Sequence, residues 1–213
     1  MNIGILGSGI VAKTLAAGFL QHGHNILVGS RTPSKWAPWL AEHPGAKAGT
    51  FAEAAAFAEV IVLAVKGAAA REALDLAGAE TLAGKIVIDT TNPIDSTPPV
   101  NGVLHFFTTL NESLMEQLQK AHPRAKFVKA FSCVGSAHMV HPALEGERPT
   151  MFLCGNDEEA KRTVIGLLDS FGWDTADMGQ VEAARAIEPL CMLWCIPGFL
   201  RNEWNHAFRL LKK

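Results

Sequence analysis

Tyrosine is absent from the 213 residues, and cysteine occurs only at Cys133, Cys154, Cys191 and Cys195. These cysteines show no C-x-x-C spacing, which is typical of a reducing compartment, so we expect a cytoplasmic location. The net charge is −2 and basic residues form no blocks, which argues against nucleic acid as a partner. We find no signal peptide and no apolar run of the roughly 20 residues that a membrane-spanning helix requires, and so expect no membrane partner.

Hydrophobic residues make up 48% of the chain, enough for a substantial core. Short β-branched runs, such as residues 60–65, alternate with helical patterns, such as Ile10–Gln21. This alternation predicts an α/β fold with a doubly wound, mostly parallel sheet of the Rossmann NAD(P)-binding type, followed by a C-terminal helical extension. We predict a single dinucleotide-binding domain over residues 1–213. Between residues 36 and 49 we expect only a short helix and a loop.

The N-terminal segment carries the strongest motif. A predicted strand at Asn2–Leu6 leads into Gly7-Ser8-Gly9-Ile10-Val11-Ala12, which matches the dinucleotide fingerprint G-x-G-x-x-G/A. Gly7 permits the tight turn, Gly9 lets the backbone approach a pyrophosphate, and Ala12 lets the helix pack closely on the sheet. The start of that helix points free N–H groups at the phosphates. The motif therefore predicts cofactor binding by Gly7, Ser8, Gly9, Ile10 and Val11.

The segment after the second predicted strand indicates which cofactor is bound. An NAD site normally places Asp or Glu there to bind the ribose hydroxyls. Residues 29–35 contain no carboxylate but include Ser30, Arg31 and Lys35, whose side chains suit a phosphate. We predict that these three side chains hold the 2′-phosphate of NADP(H). The alternative is a solvated basic loop.

Further cofactor contacts are expected at the strand ends, because ligands of such sheets lie beyond the carboxyl ends of the strands. On this basis we assign cofactor contacts to Ala64, Val65, Lys66, Asn92, Pro93 and Ala130. Asn92 has an alternative role as a turn residue before Pro93. In the long loop that follows, His105, Phe106 and Phe107 form an aromatic patch that either covers a flat ligand or packs in the core.

The segment after the strand at residues 126–130 is expected to form the substrate site. The residues that we assign to it are Phe131, Ser132, Cys133, Val134, Gly135 and His138. His138 and His141 have the spacing of a metal pair, but no third ligand of suitable type is near them in sequence, so we predict no metal. No residue is identified as catalytic.

The C-terminal segment, residues 181–213, is predicted to be a helix in two or three pieces, because Pro189 and Pro197 must break or kink it. Its apolar residues are denser than one stripe against a sheet requires. We therefore expect this segment to contribute to the substrate site, to a homodimer contact, or to both.

The chain resembles the deazaflavin (coenzyme F420)-dependent NADP reductases of methanogens and actinobacteria, and the cytosolic domain of the STEAP metalloreductases. The resemblance rests on residues 7–12, 29–35, 129–132, 154–157 and 177–185. It implies that Ser30, Arg31 and Lys35 hold the 2′-phosphate, and that residues 131–135 lie beside the nicotinamide and the deazaflavin ring. Residues 132–135 and the Trp-rich final helix depart from the archaeal pattern, so the resemblance implies NADP(H) binding but does not identify the hydride acceptor.

Hydride transfer to a flat conjugated acceptor needs no strong protein acid or base, because the cofactor carries the chemistry. We therefore expect an NADP(H)-dependent oxidoreductase that exchanges hydride with a small-molecule redox carrier: a deazaflavin, FMN, FAD or a similar compound. One alternative is a reductase of a small carbonyl or imine, which needs a proton donor such as His105 or His138. A second alternative is a non-catalytic protein that binds or senses NADPH, which a closed site would favour.

Overall fold

The structure, a computed structural model, describes residues 1–211. Within them eight strands form one sheet in the order β3-β2-β1-β4-β5-β6-β7-β8. The strands are β1 (Asn2–Leu6), β2 (Asn25–Gly29), β3 (Ala46–Gly49), β4 (Val60–Leu63), β5 (Ile86–Asp89), β6 (Lys126–Lys129), β7 (Thr150–Gly155) and β8 (Asp174–Asp177). Neighbouring strands are parallel except β6 and β7, which are antiparallel. The predicted fold class is confirmed.

Helices cover both faces of the sheet. They are α1 (Ile10–Gln21), α2 (Ala37–Glu42), α3 (Phe51–Phe57), α4 (Ala70–Ala77), α5 (Ala79–Leu82), α6 (Leu114–Ala121), α7 (Glu158–Ser170), α8 (Ala184–Ile187) and α9 (Leu190–Arg201). One core cluster includes Phe19 of α1 and Leu168 of α7, and the other includes Leu74 of α4 and Leu118 of α6. The central strands are buried from both sides, as their continuous apolar sequences require.

The edge strand β3 differs from the sequence-based expectation of a loop. Its four residues, Ala46 to Gly49, pair in parallel with β2. Alanine, lysine and glycine have low β propensity, so the segment carries no strand signal of its own. The neighbouring strand supplies the hydrogen-bonding partners that make it a strand.

The C-terminal segment was predicted as helix throughout, and that prediction is wrong beyond Arg201. Asn202 adopts a left-handed conformation with φ 58° and ends the helix. Its N–H donates to the Gly198 carbonyl at 2.9 Å, and the N–H of Glu203 donates to the Pro197 carbonyl at 3.3 Å. Residues 203–211 then follow without helix or strand, and the Phe208 carbonyl accepts a hydrogen bond from Thr150 N–H. Residues 212 and 213 of the predicted segment lie outside the described residues.

The expectation that the chain has no apolar run long enough to span a membrane is wrong for the helical region Val181–Arg201. Its 21 residues are long and apolar enough, by length and composition alone, to cross a membrane. In the fold, however, Arg185 and Glu188 on this region form ion pairs with Glu116 and Lys129 of the Rossmann core. The region therefore packs as part of the domain.

Candidate functional site

A cavity of about 430 Å³ lies at the carboxyl ends of β1, β2 and β4. Its walls come from the fingerprint turn, the loop after β2, the loop after β4 and one face of α4. The lining residues are Gly7, Ser8, Gly9, Ser30, Arg31, Thr32, Lys35, Phe51, Ala64, Val65, Lys66, Ala69, Glu72 and Ala73. We refer to it as the basic cavity, because it contains three basic side chains and one acidic one.

A second cavity, of about 480 Å³, lies beside it at the ends of β1, β4 and β5. Its lining residues are Gly9, Ile10, Val11, Ala64, Val65, Lys66, Gly67, Ala68, Thr90, Thr91, Asn92, Ile94, Asp95 and Ser96. The two cavities share Gly9, Ala64, Val65 and Lys66, so they form one continuous groove. This groove crosses the point between β1 and β4 where the strand order reverses, which is where doubly wound sheets bind dinucleotides. We refer to its second half as the apolar cavity.

Glycine is required at the two fingerprint positions for different physical reasons. At Gly7, φ is +144°, and an added Cβ would lie 2.1 Å from the carbonyl oxygen of Ala64. At Gly9, φ is −80°, and an added Cβ would meet no protein atom within 4 Å. The protein itself therefore requires glycine at position 7, whereas at position 9 the glycine leaves space in the groove. That space is what a pyrophosphate needs in order to approach the backbone.

The start of α1 is suited to an anion. Gly9 is its N-cap residue and provides no side-chain hydrogen bond, and the first turn of α1 contains no acidic side chain. The first N–H groups of this 12-residue helix therefore face the groove with the positive end of the helix dipole. The residues present fit the phosphates of a dinucleotide at this position.

The loop after β2 holds its basic side chains in a compact turn. Ser30 is buried, and its Oγ accepts a hydrogen bond from Thr32 N–H at 3.3 Å. Lys35 lies in a 3₁₀ helix, Pro33–Trp36, which the fully buried Trp36 anchors to the core. Arg31 extends across the basic cavity towards α4. The three side chains predicted to hold a 2′-phosphate thus line one cavity together.

Asn92 lines the apolar cavity and is more than a turn residue. Its Nδ2 donates to the Ser132 carbonyl at 2.7 Å, which connects the loop after β5 to the loop after β6. Asn92 Oδ1 and Ser132 Oγ are both buried and have no hydrogen-bond partner within the described residues. Buried polar atoms without partners are rare in folded proteins, and here one of the two belongs to a residue that lines the groove, Asn92.

The loop after β6 is buried more deeply than the sequence indicates. Phe131 has a positive φ of 63°, a strained conformation for an aromatic residue. Phe131 and Cys133 belong to the hydrophobic core, and an added Cβ at Gly135 would lie 2.5 Å from the Trp194 ring of α9. Burial raises the pKa of the Cys133 thiol to about 11, so the thiol is neutral and not a nucleophile near neutral pH.

Sequence reasoning missed the fully buried Lys129 at the end of β6. Its Nζ lies 2.8 Å from Asp89, 2.9 Å from Glu188 and 2.7 Å from the Thr91 carbonyl. Burial acts to lower the pKa of Lys129, but the two carboxylates outweigh it and hold that pKa above its usual value. Asp89 also accepts hydrogen bonds from the N–H and hydroxyl of Thr91 at 2.9 and 2.7 Å. This ionic network fixes the turn that carries Thr91 and Asn92.

Glu188 extends the same network to the C-terminal helical region. Its two carboxylate oxygens accept hydrogen bonds from the N–H groups of Leu114 and Met115 at the start of α6, each at 3.0 Å. Asp89, Lys129 and Glu188 are far apart in sequence and belong to different elements. No sequence spacing links Lys129 to the two carboxylates, so the sequence does not indicate this network.

The structure brings most of the predicted cofactor residues into the groove. Gly7, Ser8, Gly9, Ile10, Val11, Ser30, Arg31, Lys35, Ala64, Val65, Lys66 and Asn92 all line one or both cavities. The predicted residues absent from the lining are Pro93, Ala130, Phe131, Ser132, Cys133, Val134, Gly135 and His138. Ser132 reaches the groove only through the hydrogen bond from Asn92 to its carbonyl.

The predicted proton donors lie outside the groove. His138 is 3.3 Å from Asn205 Oδ1, on the C-terminal segment. His105 and Phe106 line a separate cavity of about 350 Å³ beside Glu188, and none of the three patch residues lines the apolar cavity. Within residues 1–211 no group of three or more His, Cys, Asp or Glu side chains is placed to hold a metal ion.

Comparison with known proteins agrees with this geometry. The family model described as NADP oxidoreductase, coenzyme F420-dependent, matches residues 2–93. The crystal structure of a protein assigned as an F420-dependent NADP reductase from Arthrobacter sp. FB24 is 35% identical, covers 100% of both chains, and superimposes with a TM-score of 0.94. Since that likeness runs through the whole chain, it extends beyond the dinucleotide-binding half.

Two curated proteins are also similar. Metalloreductase STEAP3 of Rattus norvegicus is 33% identical over 93% of this chain, and the F420-dependent NADP reductase of Methanocaldococcus jannaschii is 32% identical over 54% of it. The chain spans 39% of the length of the rat protein and 51% of the archaeal one.

Proposed function

The chain belongs to the family of coenzyme F420-dependent NADP oxidoreductases, and we propose that it transfers a hydride between NADP(H) and a deazaflavin-type redox carrier. The observation that carries the proposal is the continuous groove, which is basic at one end and apolar and open at the other. The Ser30, Arg31 and Lys35 end suits the 2′-phosphate, and the Gly9 region suits the pyrophosphate. When bound, the nicotinamide supplies the hydride chemistry.

The role of the protein in such a reaction is to orient the two rings. Asn92, on the turn that the ionic network holds, lines the apolar cavity, and Val11 at the start of α1 also lines it. Ile10 and Ile94 stand at the rim of this cavity with 66% and 39% of their surfaces exposed. Exposed apolar side chains at a cavity rim suit a flat conjugated ring, because stacking there removes both surfaces from water. FMN and FAD offer the same kind of surface as a deazaflavin and are the other candidate carriers.

The two alternative functions have less support. A carbonyl or imine reductase needs a proton donor beside the nicotinamide. Neither His105 nor His138 lines the apolar cavity, and hydrogen bonds from Thr97 hold the pKa of the Asp95 carboxyl below its usual value, so Asp95 is ionised there. A non-catalytic NADPH sensor is favoured by a closed site, whereas the rim at Ile10 is open to solvent.

The test of this proposal is the oxidation of NADPH by the purified protein with coenzyme F420, FMN, FAD and a panel of small carbonyls and imines in parallel. We expect turnover with the deazaflavin, and slower or no turnover with the small carbonyls and imines. Turnover with imines alone would replace the proposal with the reductase alternative. Tight binding of NADPH with no reduction of any tested acceptor would favour the non-catalytic sensing function.

Arg31→Ala tests the 2′-phosphate assignment. We expect the variant to lose about 1–3 kcal/mol of NADPH binding, the scale of a charge-assisted hydrogen bond, and to bind NADH almost unchanged. Titration of both nucleotides measures the effect. Arg71→Ala is the matched control, because Arg71 is an exposed arginine that pairs with Asp75 outside the groove. Equal losses for NADPH and NADH would contradict the assignment.

We also propose that the chain forms a homodimer through the outer face of α9. Leu193, Phe199 and Leu200 on this helix are exposed, which is unusual for three large apolar residues of one helix. We expect Leu193→Glu to shift the protein towards the monomer in light-scattering measurements of mass. Leu76→Glu on α4, at a similarly exposed leucine, is expected to leave the mass unchanged. A monomeric unmodified protein would exclude the dimer.

A further inference from the structure

Glu72 is the one carboxylate among the described residues that line the basic cavity. It lies on α4, opposite the loop after β2, and its Oε1 is 3.6 Å from Nη1 of Arg31. Both side chains reach into solvent, with 67% of the Arg31 side chain and 57% of the Glu72 side chain exposed. The guanidinium that is proposed to hold the 2′-phosphate is therefore already paired with an anion.

We infer that Glu72 competes with the 2′-phosphate for Arg31, and that this competition lowers both the affinity for NADP(H) and the preference for NADP(H) over NAD(H). The inference rests on the proposed function, because it requires Arg31 to bind the phosphate. When NADP(H) binds, the Arg31–Glu72 ion pair breaks. The Glu72 carboxylate then remains close to the 2′-phosphate, which is also negatively charged. NADH carries an uncharged hydroxyl at this position, so neither effect applies to it.

The charge balance of the cavity supports this role. Arg31, Lys35 and Lys66 are positive and attract the phosphates, and Glu72 offsets part of that attraction at the 2′ position. A redox enzyme that uses NADP(H) as a substrate must release the oxidised form after each turnover. A carboxylate that takes Arg31 back as the phosphate leaves raises the release rate, whereas a purely basic cavity would hold the product longer.

Removing the charge of Glu72 is expected to change NADPH affinity only moderately, because exposed charges a few ångströms apart interact weakly in water. Glu72→Gln keeps the size of the side chain and removes its charge. We expect it to tighten NADPH binding by about three- to tenfold and to slow NADP+ release by a similar factor, since affinity changes appear mainly in the dissociation rate. NADH binding should change by less than about twofold, and the gain for NADPH should shrink at high salt.

Asp75→Asn is the matched control. It removes one negative charge from the same helix, but Asp75 pairs with Arg71 and does not line the basic cavity. We expect NADPH binding by this variant to match that of the unmodified protein. An equal increase in NADPH affinity in Glu72→Gln and Asp75→Asn would show that the net charge of α4 causes the effect, and would overturn the specific role of Glu72.

The experiment is a titration of NADPH and NADH at low and high salt with the unmodified protein, the two single variants, Arg31→Ala and the double variant Arg31→Ala/Glu72→Gln. We expect Glu72→Gln to increase NADPH affinity by less in the Arg31→Ala background, because the Arg31–Glu72 ion pair is already absent there. Weaker or unchanged NADPH binding by Glu72→Gln would overturn the inference, since it would mean that Glu72 positions Arg31 or has no role. Failure of the 2′-phosphate assignment is distinguishable, because Arg31→Ala alone would then leave the preference for NADPH over NADH intact. Failure of the proposed hydride transfer would appear only in the NADPH oxidation assay and would leave these binding results unchanged.

Discussion

Replacing Gly9 with valine is expected to abolish the binding of both NADPH and NADH while leaving the fold in place. An added Cβ at this position meets no protein atom within 4 Å, so the side chain projects into the groove. The branched side chain would occupy the space where the pyrophosphate meets the start of α1. Because both nucleotides share the pyrophosphate, the loss should not depend on the 2′-phosphate. Nucleotide titration measures the loss, and thermal unfolding reports on the fold.

The matched control for this variant is Gly166→Val, on the surface of α7. An added Cβ at Gly166 also meets no protein atom within 4 Å, but the residue does not line either cavity of the groove. We expect this control to bind both nucleotides normally. Gly9 is the N-cap of α1, where valine is a poor substitute, so a stability loss of up to about 1 kcal/mol is compatible with the account. Retained nucleotide binding by Gly9→Val would place the pyrophosphate elsewhere.

Lys129→Met is expected to lower the free energy of unfolding by about 3–5 kcal/mol. The substitution keeps a long side chain but leaves Asp89 and Glu188 buried without their common positive partner. An uncompensated buried charge is far more costly than a lost surface ion pair. Urea unfolding at constant m-value measures the change.

Lys126→Met on the same strand is the control for this prediction. Lys126 pairs with Asp157 at 3.0 Å, and about a third of its side chain is exposed. We expect its loss to change the free energy of unfolding by no more than about 1 kcal/mol, as for other partly exposed pairs. Similar losses in the two variants would contradict the expected cost of leaving Asp89 and Glu188 buried without Lys129.

The dinucleotide half of the fold could be predicted because its signals are local. The bounds of α1, Ile10–Gln21, follow from the fingerprint glycines before it and Gly23 after it. The basic cavity could be predicted for the same reason, since Ser30, Arg31 and Lys35 are close in sequence. The other predicted groove residues follow from the rule that ligands of such sheets lie beyond the carboxyl ends of the strands.

The features that the sequence did not reveal depend on contacts between distant residues. The strand β3 exists because β2 offers it a hydrogen-bonding edge, and the buried ionic network joins Asp89, Lys129 and Glu188 from three separate elements. The helix α9 ends at Arg201 because the next residue, Asn202, adopts a left-handed conformation, which apolar periodicity does not indicate. The aromatic patch at residues 105–107 was expected to cover a flat ligand or to pack in the core, whereas His105 and Phe106 line a separate cavity.

The most direct test of the central claim is the transfer of deuterium from stereospecifically labelled NADPH to coenzyme F420, measured by the mass of the reduced carrier. In a deazaflavin a carbon atom replaces a ring nitrogen, so a transferred deuterium is retained on carbon and does not exchange with water. If the groove holds the nicotinamide in one orientation, the label should appear in the carrier from only one of the two labelled forms of NADPH. Absence of deuterium from the carrier with both forms would contradict direct hydride transfer, and the proposed function with it.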